Sequence, residues 1–271
     1  MVAAVASDPG STRPLLSLDG VSKAFGGVRA ADAVSLDLEE GAMLCVVGPN
    51  GCGKTTLFNL ITGAVRPDAG TIRFDGGPAG AGGPVTAARR GILRKFQVPA
   101  VFDEMTPREA VALAQSSPAA RARPAGTGTG GLADDPDALL AAVGLADRAD
   151  TPSHALPHGA RQWLEIALVL ACRPRLMLLD EPTAGMTRAE TRAAADLLRR
   201  LQDETGVTTI LIEHDMAFVE RLDRPVAVMI RGRLVAHGSY REVAAQPAVR
   251  EAYLGAAAPA PAPVPEPAGR A

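Results

Sequence analysis

Cysteine, aromatic side chains and surplus charge are all scarce in this sequence. Its three cysteines, Cys45, Cys52 and Cys172, show neither paired nor metal-type spacing, which argues against a disulfide scaffold and suits a reducing compartment. Aromatics make up 3% of the 271 residues, so the core must be built from Ala, Leu and Val. The formal net charge of -2 leaves no basic surplus for a nucleic-acid surface. No apolar stretch approaches the roughly 20 residues needed to cross a bilayer. The longest candidates, Ile166–Cys172 and Leu176–Leu179, end at charge or proline. Residues 1–13 lack a basic segment followed by an apolar run and are not expected to be a secretion signal.

What is present is a β/α alternation with three breaks in composition. Residues 1–13 are small and polar and are expected to be disordered. Residues 116–136 read as a flexible Gly/Pro/Ala loop with no place in the core, and residues 256–271 as an extended Ala/Pro tail. Between the termini, residues 14–255 form one domain. Short unbroken apolar runs at Met43–Val47, Leu176–Leu179, Thr208–Ile212 and Val226–Ile230 suit strands buried on both faces of a sheet. The spacing predicts a helix over Thr187–Glu204, opened by a Thr187/Glu190 capping box and closed by Gly206. The fold class is therefore α/β with a mainly parallel central sheet.

Gly48-Pro49-Asn50-Gly51-Cys52-Gly53-Lys54-Thr55 fits G-x-x-x-x-G-K-[ST]. Glycines let the backbone curl until several N–H groups face one phosphate chain, and a helix starting at Lys54 adds its positive dipole end. Lys54 would bring a mobile charge to the β- and γ-phosphates, Thr55 a hydroxyl to Mg²⁺, with Thr56 alongside. A strand before the loop and a helix stopped by Gly63 after it make accident a poor explanation.

A second apolar strand, Leu176-Met-Leu-Leu-Asp180-Glu181, ends in adjacent acids. Side chains alternate along a strand, so the two carboxylates can divide the work. Asp180 would hold Mg²⁺, largely through water, and Glu181 would polarise an attacking water as general base. Alone, such a strand end is a solvated pair of charges; downstream of a phosphate loop it reads otherwise.

In order and spacing these motifs resemble the ABC (ATP-binding cassette) ATPases, over nearly all of Leu15–Gly255. The resemblance implies a P-loop NTPase (RecA-like) core with a mainly parallel sheet, an antiparallel β edge and a helical subdomain inserted at about 98–165. It implies ATP and Mg²⁺ as ligands. Phe25, in Val-Ser-Lys-Ala-Phe25-Gly-Gly-Val28, resembles the aromatic that stacks on adenine, with Val28 beside it. Gln97, in Arg94-Lys-Phe-Gln97, is similar to the glutamine that senses Mg²⁺ and water and joins the core to the helical subdomain. His214, after the strand Leu211-Ile-Glu, resembles the switch histidine that contacts the γ-phosphate.

One segment departs from the family. Where such ATPases carry Leu-Ser-Gly-Gly-Gln, which caps the γ-phosphate held by the other subunit, this chain has Leu156-Pro157-His158-Gly159-Ala160. Pro157 offers neither hydroxyl nor backbone N–H. The expectation is a weakened composite site at this signature, with His158 and Gly159 sufficing as the alternative. Thr187 stands where many members place an Asp; its capping role accounts for it.

The resemblance further implies a transporter ATPase on the cytoplasmic face of the membrane. Its partners would be permease subunits, a second ATPase subunit and, indirectly, a periplasmic binding protein. Residues 98–165, with Val98, Val101 and Phe102, are the expected dock for a permease helix. Arg94–Phe102, His158–Ile166 and Glu213–Val219 are similar to the urea-import members of the branched-chain amino-acid and amide importer group. Urea or a short amide is the first expectation and branched-chain amino acids the second. A soluble ABC ATPase acting on ribosomes or DNA would bring a tandem cassette, a coiled coil or a basic patch, and a non-hydrolysing regulatory module would not need Glu181 and His214.

Overall fold

The computed structural model describes residues 13–95, 103–123, 129 and 131–254. Gln97 and the expected docking residues Val98, Val101 and Phe102 lie outside these, as do residues 1–12 and the Ala/Pro tail.

The chain opens with a hairpin of β1 (Leu16–Phe25) and β2 (Val28–Leu38). Its register sets Leu16 opposite Leu38, Leu18 opposite Leu36 and Val21 opposite Val34, so one face is apolar along these pairs. Gly26 and Gly27, with φ of 50° and 88°, form the two-residue turn, which needs left-handed backbone at both positions. β3 (Met43–Val47) then leads through the phosphate loop into α1 (Lys54–Ile61). β4 (Ala69–Phe74), β5 (Gly77–Pro78), α2 (Gly83–Arg90) and β6 (Ile92–Lys95) follow. The helical stretch holds α3 (Pro107–Gln115), α4 (Pro118–Arg121), α5 (Pro136–Ala142) and α6 (His158–Ala171). The remainder alternates: β7 (Leu176–Asp180), α7 (Arg188–Thr205), β8 (Thr208–Glu213), α8 (Met216–Leu222), β9 (Val226–Ile230), β10 (Arg233–Gly238), α9 (Tyr240–Ala244) and α10 (Pro247–Leu254).

Two sheets result, one antiparallel in the order β2-β1-β4-β5 and one of six strands in the order β10-β9-β3-β8-β7-β6. In the second, β9, β3, β8, β7 and β6 run parallel and β10 closes the edge antiparallel. Every residue of β3, β7 and β8 is buried. Alternate side chains enter two separate cores. Met43, Cys45, Val47, Met177, Leu179 and Leu211 face the helices, whereas Leu44, Val46, Leu176, Leu178, Ile210 and Ile212 face α1 and the antiparallel sheet. This explains why the sequence shows unbroken apolar runs there.

The helix expected at Thr187–Glu204 is α7, with Thr187 as N-cap, its capping box with Glu190 formed, and Gly206 at the C-cap with φ 60°. The described residues of the segment 116–136 depart from the expectation of a spacer. Ser117 caps α4, and Ala120, Arg123 and Ala133 are buried. Its composition hides this because alanine supplies the core contacts that larger apolar residues would announce. A buried ion pair, Lys95 Nζ to Glu165 Oε2 at 2.9 Å, ties the end of β6 to α6.

Candidate nucleotide site

Fully buried β3 delivers the chain to Gly48, and the loop is packed so closely that glycine is required at two positions. A Cβ on Gly48 would sit 2.1 Å from the Met229 carbonyl oxygen, and one on Gly53 would sit 1.9 Å from that of Ala30. Gly53, at φ 111°, is also the N-cap of α1 and brings no capping side chain, and the first turn of the helix has no acid. The leading N–H groups are therefore left for an anion. Lys54 is buried and curled over the loop, its Nζ donating to the carbonyls of Gly48 (2.7 Å) and Pro49 (3.1 Å). These are bonds an incoming phosphate oxygen can replace. Cys52 lies beneath, 4.0 Å from Lys54 Nζ, and burial pushes its thiol up.

Above the loop is an open cleft of about 390 Å³ lined by Ala30, Asn50, Gly51, Gly53, Lys54, Thr55, Thr56 and Glu181. The two acids of β7 do diverge. Asp180 is buried and accepts from Arg94 Nη2 at 2.6 Å, while Arg94 Nη1 donates to Asn59 Oδ1 at 2.7 Å. Glu181 breaks the strand with φ 45°, a left-handed conformation that a non-glycine residue adopts at a cost of about 1–3 kcal/mol. That turn aims its side chain into the cleft, where Oε1 comes within 3.6 Å of His214 Nδ1. The phosphate loop, Glu181 and His214 are thus brought together from three separate β–α junctions.

Phe25 and Val28 flank the Gly26–Gly27 turn at the hairpin tip and are 48% and 69% exposed, an unusual place for large apolar side chains. Lys23 Nζ lies 5.5 Å from the Phe25 ring centre. Neither residue lines the cleft.

Known proteins match this arrangement. A family model described as ABC transporter matches residues 31–184, more than half of the chain. The chain belongs to the ABC transporter ATP-binding family, whose cassettes are ATPases of transport complexes. A second family model, described as Branched-chain amino acid ATP-binding cassette transporter, matches residues 233–259 of the cassette. The high-affinity branched-chain amino acid transport ATP-binding protein BraF of Pseudomonas aeruginosa is 36% identical over 260 residues, covering 91% of this chain and 100% of that protein. LivG of Escherichia coli, which bears the same description, is 34% identical over 265 residues, with 91% and 100% covered. Among solved structures, the ADP conformation of an ATP-binding cassette of an ABC transporter superposes with a TM-score of 0.76 at 28% identity, covering 90% and 100%.

The altered signature segment begins α6 of the cassette. Pro157 is its N-cap and supplies no side-chain cap. His158 Nε2 lies 3.0 Å from the Ala184 carbonyl oxygen, which accepts a hydrogen bond from it. Gly159 backs onto Glu190, whose Oε1 is 3.5 Å from where a Cβ would stand. None of Leu156, Pro157, His158, Gly159 or Ala160 lines the phosphate-loop cleft of the same chain.

Three features of the site escaped sequence reasoning: Arg94 on Asp180, the Lys95–Glu165 pair, and Glu213. The last is a carboxylate with no exposure, and burial pushes its pKa up. Its only sequence signal is an acid directly after the apolar Ile210-Leu211-Ile212 of β8. The oxygen donors suit magnesium. Thr55 and Asp180 offer a hydroxyl and a carboxylate oxygen, hard ligands of the kind Mg²⁺ combines with phosphate and water. Among the described residues no three His, Cys, Asp or Glu side chains gather into an all-protein cage. No helix among them is long and apolar enough to cross a membrane.

Proposed function

We propose that this cassette is the ATP-hydrolysing subunit of an ABC importer, working as one half of a dimer against membrane permease subunits. The observation that carries the reading is the meeting of Glu181 and His214 at 3.6 Å over a cleft floored by Lys54 and Thr55. Lys54 and the N–H groups at the start of α1 bind the triphosphate; Phe25 and Val28, exposed at the hairpin tip, take the adenine. Bound Mg²⁺ would offset charge on the phosphates, held by Thr55 and, through water, Asp180, with Gln97 as the further ligand. Glu181 accepts a proton from the attacking water, and His214 orients Glu181 and meets the γ-phosphate. Closing the dimer on ATP and reopening after hydrolysis would shift the permeases between conformations.

The test separates binding from chemistry. Lys54→Ala should abolish nucleotide binding, and Glu181→Gln should leave binding intact while turnover in the assembled complex falls by about 10²–10³-fold. Unchanged affinity in the first or unchanged turnover in the second refutes the reading.

The relatives' names and the C-terminal family match support branched-chain amino acids as the solute. Urea or a short amide is the second reading, favoured by the wording of Arg94–Phe102 and of His158-Gly159-x-x-Gln162-Trp163. Uptake of labelled leucine and labelled urea by cells with and without this chain distinguishes them.

The signature segment supports pairing with a non-identical ATPase. Pro157 lacks the N–H and hydroxyl, and the His158 Nε2 proton is engaged by Ala184. In that arrangement the site completed by this signature is the weaker, and Glu181→Gln in this chain costs more turnover than the matching change in its partner. Equal losses refute the asymmetry.

A further inference from the structure

We infer that Glu213 is a positioning residue for ATP hydrolysis, its carboxylate clamping the Glu181 turn to the His214 loop. The inference rests on the reading that Glu181 and His214 act at the γ-phosphate. Three donors converge on this side chain. Thr183 gives its hydroxyl to Oε1 at 2.6 Å and its backbone N–H to the same oxygen at 3.2 Å, and the His214 N–H reaches Oε2 at 3.2 Å. One oxygen thus holds the turn after β7 and the other the residue after β8.

Burial argues that this is more than core filling. A carboxylate taken wholly out of water is strongly disfavoured unless its oxygens are satisfied, and Ile210, Leu211 and Ile212 just before it show that apolar side chains suit this environment. Among the described residues no lysine or arginine forms an ion pair with it. The acid is tolerated through bonds that all go to the two loops bearing the candidate catalytic groups.

Those loops need holding. Glu181 adopts φ 45° directly before Pro182, where steric contact with the proline ring favours extended backbone. The turn is secured by Glu181 N–H to the Ile212 carbonyl (3.0 Å) and Ala184 N–H to the Glu181 carbonyl (3.1 Å), and Glu213 supplies the side-chain bonds. Releasing it lets Glu181 relax toward extended backbone and opens the 3.6 Å approach to His214. Lys54 and the phosphate loop are not touched by Glu213, so nucleotide affinity should not follow.

The full-length chain is assayed for ATP turnover, for affinity by fluorescent-nucleotide titration, and for the His214 imidazole signals by NMR, assigned with His214→Gln. Glu213→Gln keeps an acceptor for Thr183 but turns an amide toward the His214 N–H; turnover should fall about tenfold, with affinity within about twofold. Glu213→Ala should lose more. Thr183→Val should behave like Glu213→Gln, Thr183→Ser should restore turnover, and the Glu213→Gln/Thr183→Val double variant should lose no more than the worse single one, since both act through one clamp. The His214 signals should shift in Glu213→Gln. Turnover within twofold of the parent in Glu213→Gln and Thr183→Val overturns the proposal. So does a fall matched by equal loss of affinity, with His214 signals unmoved. If Glu213→Ala does not fold, the Gln and Thr183 variants decide. A Glu181→Gln chain as fast as the parent sinks the underlying reading and this proposal with it. A dead Glu181→Gln chain beside unaffected Glu213 variants sinks this proposal alone.

Discussion

At Gly53 a single hydrogen atom decides whether the phosphate loop can close. The residue combines φ 111° with a Cβ direction blocked by the Ala30 carbonyl, so Gly53→Ala is refused both by its own backbone and by its neighbour. Nucleotide affinity should drop roughly 5- to 150-fold in equilibrium titration, from strain of roughly 1–3 kcal/mol concentrated in the loop. Cys52 gives a second residue-scale test. Burial raises its thiol pKa, so the reactive thiolate forms only at higher pH than in an exposed cysteine. The alkylation rate should keep climbing with pH after an exposed thiol has levelled off. Bound MgATP should slow it, followed by mass spectrometry at Cys52. No protection by nucleotide would place Cys52 away from the bound phosphates. The phosphate loop was legible residue by residue because its chemistry is local: glycines, lysine and threonine at fixed spacing. Arg94 and Glu213 were not, because nothing in a lone arginine or glutamate announces the carboxylate or the threonine that the fold brings to it.

The joint between β6 and α6 is ionic where hydrophobic packing would be the default. Lys95 and Glu165 are both buried and meet at 2.9 Å, and Glu165 Oε1 has no hydrogen-bond partner among the described residues. Lys95→Met removes one charge and strands the other, which should destabilise the cassette by about 3–5 kcal/mol in denaturant unfolding. Lys95→Met/Glu165→Leu removes both and should recover most of that loss. Failure of the double variant to recover would mean that the pair stabilises beyond its own burial. At this scale the strands and α7 were readable for a physical reason. Burial on both faces forces apolar runs at Met43–Val47 of β3, Leu176–Leu179 of β7 and Ile210–Ile212 of β8, and a capping box with a closing glycine marks both ends of α7. In the stretch 116–136, alanines such as Ala120 and Ala133 are buried without any apolar periodicity to betray them, so composition alone suggests only a spacer.

For the whole molecule, the separation of the signature segment from the cleft in one chain makes association the informative measurement. A Glu181→Gln chain held with MgATP should sediment as a dimer, and on the proposed pairing with a non-identical ATPase the mixed pair should form at lower ATP than the pair of identical chains. Equal ATP requirements would argue that Pro157 and His158 are as good a cap as any. The solute is the feature least legible in the chain, since no residue of an ATP-binding subunit is expected to touch what the permeases carry.

The alternation of β3 between two cores has a mechanical consequence for catalysis. Cys45 and Val47 are keyed into the helix-side core and Leu44 and Val46 into the opposite one. A slip of one residue would exchange every key at once and misfit both sides. The loop that begins at Gly48 is therefore indexed along the chain by two independent sets of teeth. Loosening the packing on one side would release only one set, and the loop would stay indexed by the other.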